Sequence, residues 1–206
     1  MGTSPPTPPP GPDAREEALR ALIAAGDIDR ATDQALRVYG PELIGWLCSV
    51  LPADADAHEA FSRMSEELWR SLRRFDGRCS VRTWCYMLAR HATSFVRGRP
   101  QRQRELLVSD IPSVLHAATH VWNSTVRREQ HASDIYAAIR AQLDDEDQAL
   151  LVLRVDRGLG WGDIAQILLG EAATLSSVEK KAATLRKQFE RVKARLRELA
   201  QATEIT

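Results

Sequence analysis

From Val178 to Leu199, the residues Val178, Ala182, Leu185, Phe189, Val192, Leu196 and Leu199 alternate spacings of four and three without a slip. A strand would send successive members of that series to opposite faces; an α-helix gathers them on one. One helix through the run spans about 33 Å at 1.5 Å per residue. Ser176 with Glu179 reads as a capping box and Leu175 as a hydrophobic staple, so the helix is expected to open there. The stripe suits either the core side of a bundle helix or the seam of a dimeric coiled coil, and only three heptads favour the bundle. The remaining faces carry Lys180, Lys181, Arg186, Lys187, Arg191, Lys193, Arg195 and Arg197.

The same test predicts helices through most of the chain. Asp13 with Glu16 opens one to about Ala25, which Gly26-Asp27 ends. A second covers about 29–51 with Leu36, Leu43, Ile44 and Leu47, and Pro41 predicts a kink or break near Tyr39-Gly40. Pro52 to Asp56 reads as a connection. A third covers 57–75 with Phe61, Met64, Leu68 and Leu72 on one face. Ser80 caps a fourth, to about Arg97, with Val81, Trp84, Leu88 and Phe95 on its apolar face. Gly98-Arg99-Pro100 stops it. Later helices are expected at 133–143, at 145–157 (opened by Asp144 with Asp147 at N3) and at 161–169. Residues 1–12 hold six of the ten prolines and read as a disordered tail. Residues 99–132 lack periodicity, contain Pro112 and read as a linker. The expected fold is all-α. Two small helical domains, 13–98 and 133–206, flank the linker, and the second ends in a helix-turn-helix with an extended recognition helix.

Net charge is zero, yet the charges are segregated. Residues 1–62 carry a balance of −6, residues 63–104 one of +8, residues 105–178 one of −6 and residues 179–199 one of +5. Two basic blocks, each inside a helical pattern, predict two surfaces that meet a polyanion. No run approaches the roughly 20 apolar residues of a membrane span. The N-terminus lacks the basic start and apolar core of a secretory signal. Cys48, Cys79 and Cys85 are odd in number and widely spaced, which suits a reducing cytoplasm and not a disulfide framework or a cysteine-rich zinc module.

Residues Arg74-Phe75-Asp76-Gly77-Arg78-Cys79-Ser80-Val81-Arg82-Thr83-Trp84-Cys85-Tyr86-Met87-Leu88-Ala89-Arg90 resemble the RFDGRSSFRTWLYRIAR run of bacterial RNA polymerase sigma factors. The group most resembled is the small, two-domain extracytoplasmic-function (ECF) type. Tyr39-Gly40-Pro41, Asp56-Ala57-His58-Glu59 and Leu68-Trp69 fall where that family carries YGP and DAEDLVQETFLRLW. Leu150–Ala165 is similar to LLLRYVEGLSYEEIA, and Thr184–Leu199 to TVKSRLSRARKRLREL. The resemblance covers roughly 30–98 and 133–200, in the family's order.

It implies a transcription initiation factor that binds core RNA polymerase, melts the minus-ten element of promoter DNA with the first domain and reads the minus-thirty-five element with the second. It also admits an anti-sigma factor as a partner. Polymerase contacts would fall to Asp56, Glu59, Arg63, Glu66 and Glu67. Minus-ten contacts would fall to Phe75, Arg78, Ser80, Arg82, Tyr86, Arg90 and Arg97. Arg82, Tyr86 and Arg90 stand at i, i+4, i+8, a face apart from Trp84 and Leu88. Tyr86 there serves either as a stacking platform for unpaired bases or as the edge of the core. Trp84, on the apolar stripe, is expected to pack and not to touch bases. In the last helix Arg186, Lys187 and Gln188 are base-reading candidates, with Thr184 beside them. Arg191, Lys193 and Arg195 are phosphate candidates.

Three departures from the pattern stand out. The family's short GIPVG turn is replaced by the fifteen positions Leu169–Ala183. Either the recognition helix begins about two turns early, bringing Lys180 and Lys181 to the DNA, or the loop is merely longer. The heptad phase favours the continuous helix. Ser62-Arg63-Met64-Ser65 stands in place of QETF on the polymerase-binding helix. His91 and Ser94 replace the usual Asn and Asp. Two other readings remain at this stage: a helix-turn-helix regulator that has lost polymerase binding, and a helical adaptor that binds only protein.

No catalytic set is expected. His116 and His120 stand at i, i+4, but no third ligand is spaced to join them, so neither metal nor cofactor is predicted. There is no phosphate-binding glycine loop and no GxSxG.

Overall fold

The computed structural model describes residues 12–98 and 142–204. The linker 99–132, residues 133–141 of the expected next helix, the tail up to residue 11, and His116 with His120 all lie outside the described residues. Regular structure among the described residues is entirely helical, as expected: α1 (Pro12–Ala24), α2 (Ile28–Val50), α3 (Asp54–Ser71), α4 (Val81–Arg97), α5 (Asp145–Leu151), α6 (Trp161–Leu169) and α7 (Leu175–Glu204).

Local chemistry sets the boundaries. Gly26 and Gly77 take positive φ of 74° and 75° at the turns that follow α1 and precede α4. In α4 the Ser80 side chain accepts from the Thr83 amide, and in α5 Asp144 accepts from that of Asp147. Each thereby satisfies an amide that the first helical turn leaves open. The chain is not broken at Pro41, since α2 runs on to Val50. The third helix starts at Asp54, earlier than expected, and ends in a 3-10 turn at Leu72–Arg74. The helix expected over 145–157 is α-helical only to Leu151. From Val152 to Asp156 it widens into a π-helical turn, with the Arg157 amide donating to the Val152 carbonyl.

The last helix is continuous through 183, but its start is corrected. Thr174 and Ser177 form the reciprocal box: the Thr174 amide donates to Ser177 Oγ at 2.9 Å and the Ser177 amide to Thr174 Oγ1 at 3.2 Å. Thr174–Ser177 and Ser176–Glu179 compete for this end, and the pair nearer the Gly170 turn wins. Leu175 is 83% exposed and is not a staple.

α2, α3 and α4 pack together around Leu43, Leu47, Met64, Leu68 and Val81, all 0% exposed. Trp84 packs as expected, edge-on to Phe75, with its indole N–H on Ser71 Oγ at 3.1 Å. Phe95 departs from the expected apolar face. It lies 45% exposed under the Arg63 guanidinium, 3.4 Å from the ring centre. α6 packs on α7 and also on α4, so residues of both halves share one buried apolar cluster. Ala182, Leu185 and Val192 of the heptad stripe are buried within the chain, so the stripe is a core side and not a free seam. All three cysteines are free thiols.

The cap assignment is directly testable. Thr174→Ala should cost about 1 kcal/mol in urea unfolding, whereas Ser176→Ala should change stability by less than about half of that. Equal losses would place the cap elsewhere.

Candidate nucleic-acid and polymerase interfaces

α3 and the 3-10 turn after it face Ser62, Glu66, Trp69 and Arg73, at spacings of four and three, outward together. Trp69 is 46% exposed and donates from Nε1 to Asp29 at 2.7 Å. Of the polymerase candidates, Glu66 and Glu67 lie on this open side, paired with Arg70 and Arg74. Arg63 is held between Glu59, at 3.7 Å, and Phe95. Asp56 is buried, at 4% exposure.

Of the expected minus-ten groups, Phe75, Arg78, Ser80 and Arg82 lie at or just before the start of α4, whereas Arg90 and Arg97 lie further along the helix. Phe75 is half-buried, with Arg20 of α1 over its ring at 5.8 Å, and Arg20 also donates to the Cys79 carbonyl at 2.8 Å. Arg78 donates to Asp76 and, at 3.3 Å, to the carbonyl of Glu171. These contacts with Arg78 hold the Asp76 carboxyl below its ordinary pKa, the bond from the Arg78 amide first among them. Ser80 is spent on the cap. The Arg82 guanidinium meets both oxygens of Glu42 at 2.8 and 2.7 Å and the Arg157 carbonyl at 2.8 Å. The bond to Glu42 outweighs desolvation and raises the Arg82 pKa, so the group stays charged.

Of the two readings of Tyr86, the structure favours the core, not an open stacking face. It is 0% exposed, edge-on to Trp46 at 5.7 Å between ring centres. Burial, then the nearby Glu42, pushes its phenol well above the usual range. The Trp46 N–H finds no hydrogen-bond partner among the described residues, while the nearby Arg82 guanidinium acts on the Tyr86 phenol against that upward push. Arg90 and Arg97 line a cavity of about 640 Å³ between α2, α4 and the C-terminal helices. Lys181 and Gln188 line its other side.

On α7 the core stripe fixes which cations face outward. Lys180, Thr184, Lys187 and Arg191 lie opposite the stripe at spacings of four, three and four, all exposed. Arg186 is exposed on the flank. Gln188 is half-buried and donates to Asp147 Oδ1 at 2.7 Å. Lys193 pairs with Glu190 at 2.8 Å and Arg195 with Glu198 at 3.4 Å.

Glu16, Glu42, Trp46 and Asp163 belong to this region and were not expected there. Glu16 accepts from the Val81 amide at 2.7 Å, and Asp163 accepts from Thr83 Oγ1 at 2.8 Å. Their partners lie 65 and 80 positions away in sequence, beyond the reach of any local pattern.

Among the described residues no cluster of histidine, cysteine or carboxylate side chains could hold a metal ion, and no helix is long and apolar enough to cross a membrane. No curated protein matches the chain significantly. Residues 35–99, which run from the middle of α2 to just past α4, match the family model for sigma-70 region 2. Members of that family are transcription initiation factors and not enzymes. The segment that carries Arg82, Tyr86 and Arg90 is therefore similar to sigma-70 region 2.

Proposed function

We propose that the chain is a sigma factor of the extracytoplasmic-function type, acting in the cytoplasm. It carries core RNA polymerase to promoters, and an anti-sigma factor is a fitting regulator. The observation that carries this reading is the region 2 match over residues 35–99. It implies polymerase binding and minus-ten recognition in the first domain, 13–98. The second domain, 133–206, reads the minus-thirty-five element with α7. Support for that half comes from the bare cationic face of α7 and from the short α6 packed before it, the arrangement of a helix-turn-helix.

α3 is the polymerase-docking helix. Its outward face offers Glu66, Glu67 and a half-exposed tryptophan, a mix of charge and aromatic surface suited to a protein partner. The double charge reversal Glu66→Lys/Glu67→Lys should lower recovery of core polymerase in co-purification about tenfold, roughly 1.4 kcal/mol. Full recovery with the variant would remove α3 from that role. Failure of the unaltered chain to recover polymerase, with duplex DNA binding intact, would favour the polymerase-free regulator suggested by Ser62-Arg63-Met64-Ser65.

The continuous α7 shifts the expected DNA register toward Lys180. Lys180→Ala and Lys187→Ala should each relax base preference in a randomised promoter library, at about 1–3 kcal/mol for a lost bidentate contact. Arg191→Ala should weaken all sequences alike and reduce the salt slope by about 0.9. Gln188→Ala, whose amide is held by Asp147, should leave base preference unchanged. A preference change confined to Arg186, Lys187 and Gln188 would restore the family's register.

A further inference from the structure

We propose that the cavity between α2, α4 and the C-terminal helices is a binding site for a small organic acid, an anionic head on an apolar body. Such binding is independent of the sigma-factor reading, since it is measured on the chain without polymerase or promoter. The cavity holds about 640 Å³, within the roughly 300–1,000 Å³ of small-molecule sites. It also lies where such sites are common, at a junction of helices from both halves of the chain.

The polar lining leaves donors unmatched. Arg90 of α4 and Lys181 of α7 are half-buried on its walls. Among the described residues, neither side chain makes a hydrogen bond or an ion pair. Trp46 of α2 is 3% exposed, and its indole N–H is unmatched as well. Ser49 and Thr93 donate their hydroxyls one turn back, to the Trp46 and Arg90 carbonyls, each at 2.7 Å. Four cations line the space against two carboxylates, Glu146 and Asp156, and both carboxylates are exposed to water. An arginine cannot shed its charge, and a cation drawn partly out of water without a counter-charge costs free energy. The component that would match these groups is an anion supplied from outside the chain.

The rest of the lining selects the body of the ligand. Val50, Ala149, Val152 and Leu168 are half-buried hydrocarbon on the same walls, backed by Leu153 and Leu185 at 1% and 2% exposure. An inorganic anion or a sugar-phosphate backbone would leave that surface against water, whereas an apolar body covers it. A nucleobase has no edge reader here. The Gln148 amide already donates to the Leu143 carbonyl at 2.8 Å, and that of Gln188 to Asp147 at 2.7 Å.

The probe is anilinonaphthalene sulfonate, an aromatic anion whose fluorescence rises when it leaves water, titrated into the full chain. Competitors separate the two parts of the ligand. Decanoate carries both head and body, octanol the body alone, and inorganic phosphate or a single-stranded oligonucleotide the charge alone. Lys181→Gln removes one cation from the wall and Lys181→Arg restores it. Ala149→Phe fills the space without changing charge.

One saturable site is expected, weakened about tenfold by Lys181→Gln, restored by Lys181→Arg and lost in Ala149→Phe. Decanoate should displace the probe at a concentration about tenfold below that of octanol, phosphate or the oligonucleotide. Absence of saturable binding, or binding unchanged in both Lys181→Gln and Ala149→Phe, would overturn the site. Displacement by octanol as readily as by decanoate would overturn the anionic head. Equal displacement by phosphate or the oligonucleotide would overturn the apolar body and leave a seat for phosphate. Circular dichroism reports whether Ala149→Phe has folded; if it has not, the two Lys181 variants and the competitors decide.

Discussion

α4 has no free side over two consecutive turns. Thr83 to Ala89 are all buried, and seven successive helical residues point in every direction around the axis. Enclosing such a helix takes more than one domain's worth of neighbours. α2 and α3 cover part of it, α1 crosses its start and α6 takes what remains. The joint apolar cluster follows from that requirement.

Enclosure decides the electrostatics as well. An arginine cannot shed its charge, so one brought under cover must find acceptors. Arg82 finds three, and the carboxylate partner comes from α2, 40 positions away. The acidic first block of the sequence and the basic second block meet at this point. Where no partner is supplied among the described residues, as at the Trp46 indole N–H, the cost is of the order of 1–3 kcal/mol. Against a typical domain stability of roughly 5–15 kcal/mol, that is a sizeable weakness in one place.

The sequence disclosed whatever depends on neighbours within one turn. Ser80 and Asp144 could be named as caps because each reaches an amide three residues on, and the α7 stripe because its members stack every turn. The start of α7 was misplaced because Thr174 and Ser176 offer equivalent chemistry, and only the Gly170 turn selects between them. Tyr86 stays open in the sequence, between a stacking platform and the core edge, for a different reason. Periodicity identifies one buried side of a helix, and it is silent when a second layer covers the other. Gln188 shows the same limit: its flank position suits a base contact, but Asp147, 41 positions away, takes its amide. The region 2 motif around Arg74–Arg90 was legible as a run of letters, while the groups that engage it are scattered from residue 16 to residue 171.

The two arginine contacts that tie α4 and the turn before it to the C-terminal half end on main-chain carbonyls, those of Arg157 and Glu171. No side-chain substitution at 157 or 171 deletes such an acceptor; only a change in the path of the chain does. At 157 that path is set by the π-helical turn, which holds one residue more than an α-turn would. Removing one residue there would rotate the exit by about 100° and swing the carbonyl away from Arg82. Side-chain substitution at 157 or 171 therefore leaves both acceptors in place, while Leu153 and Leu159 of the same stretch are held by the core. Loss or gain of the Arg82–Arg157 contact among relatives would be written in single-residue insertions and deletions between Val152 and Gly160.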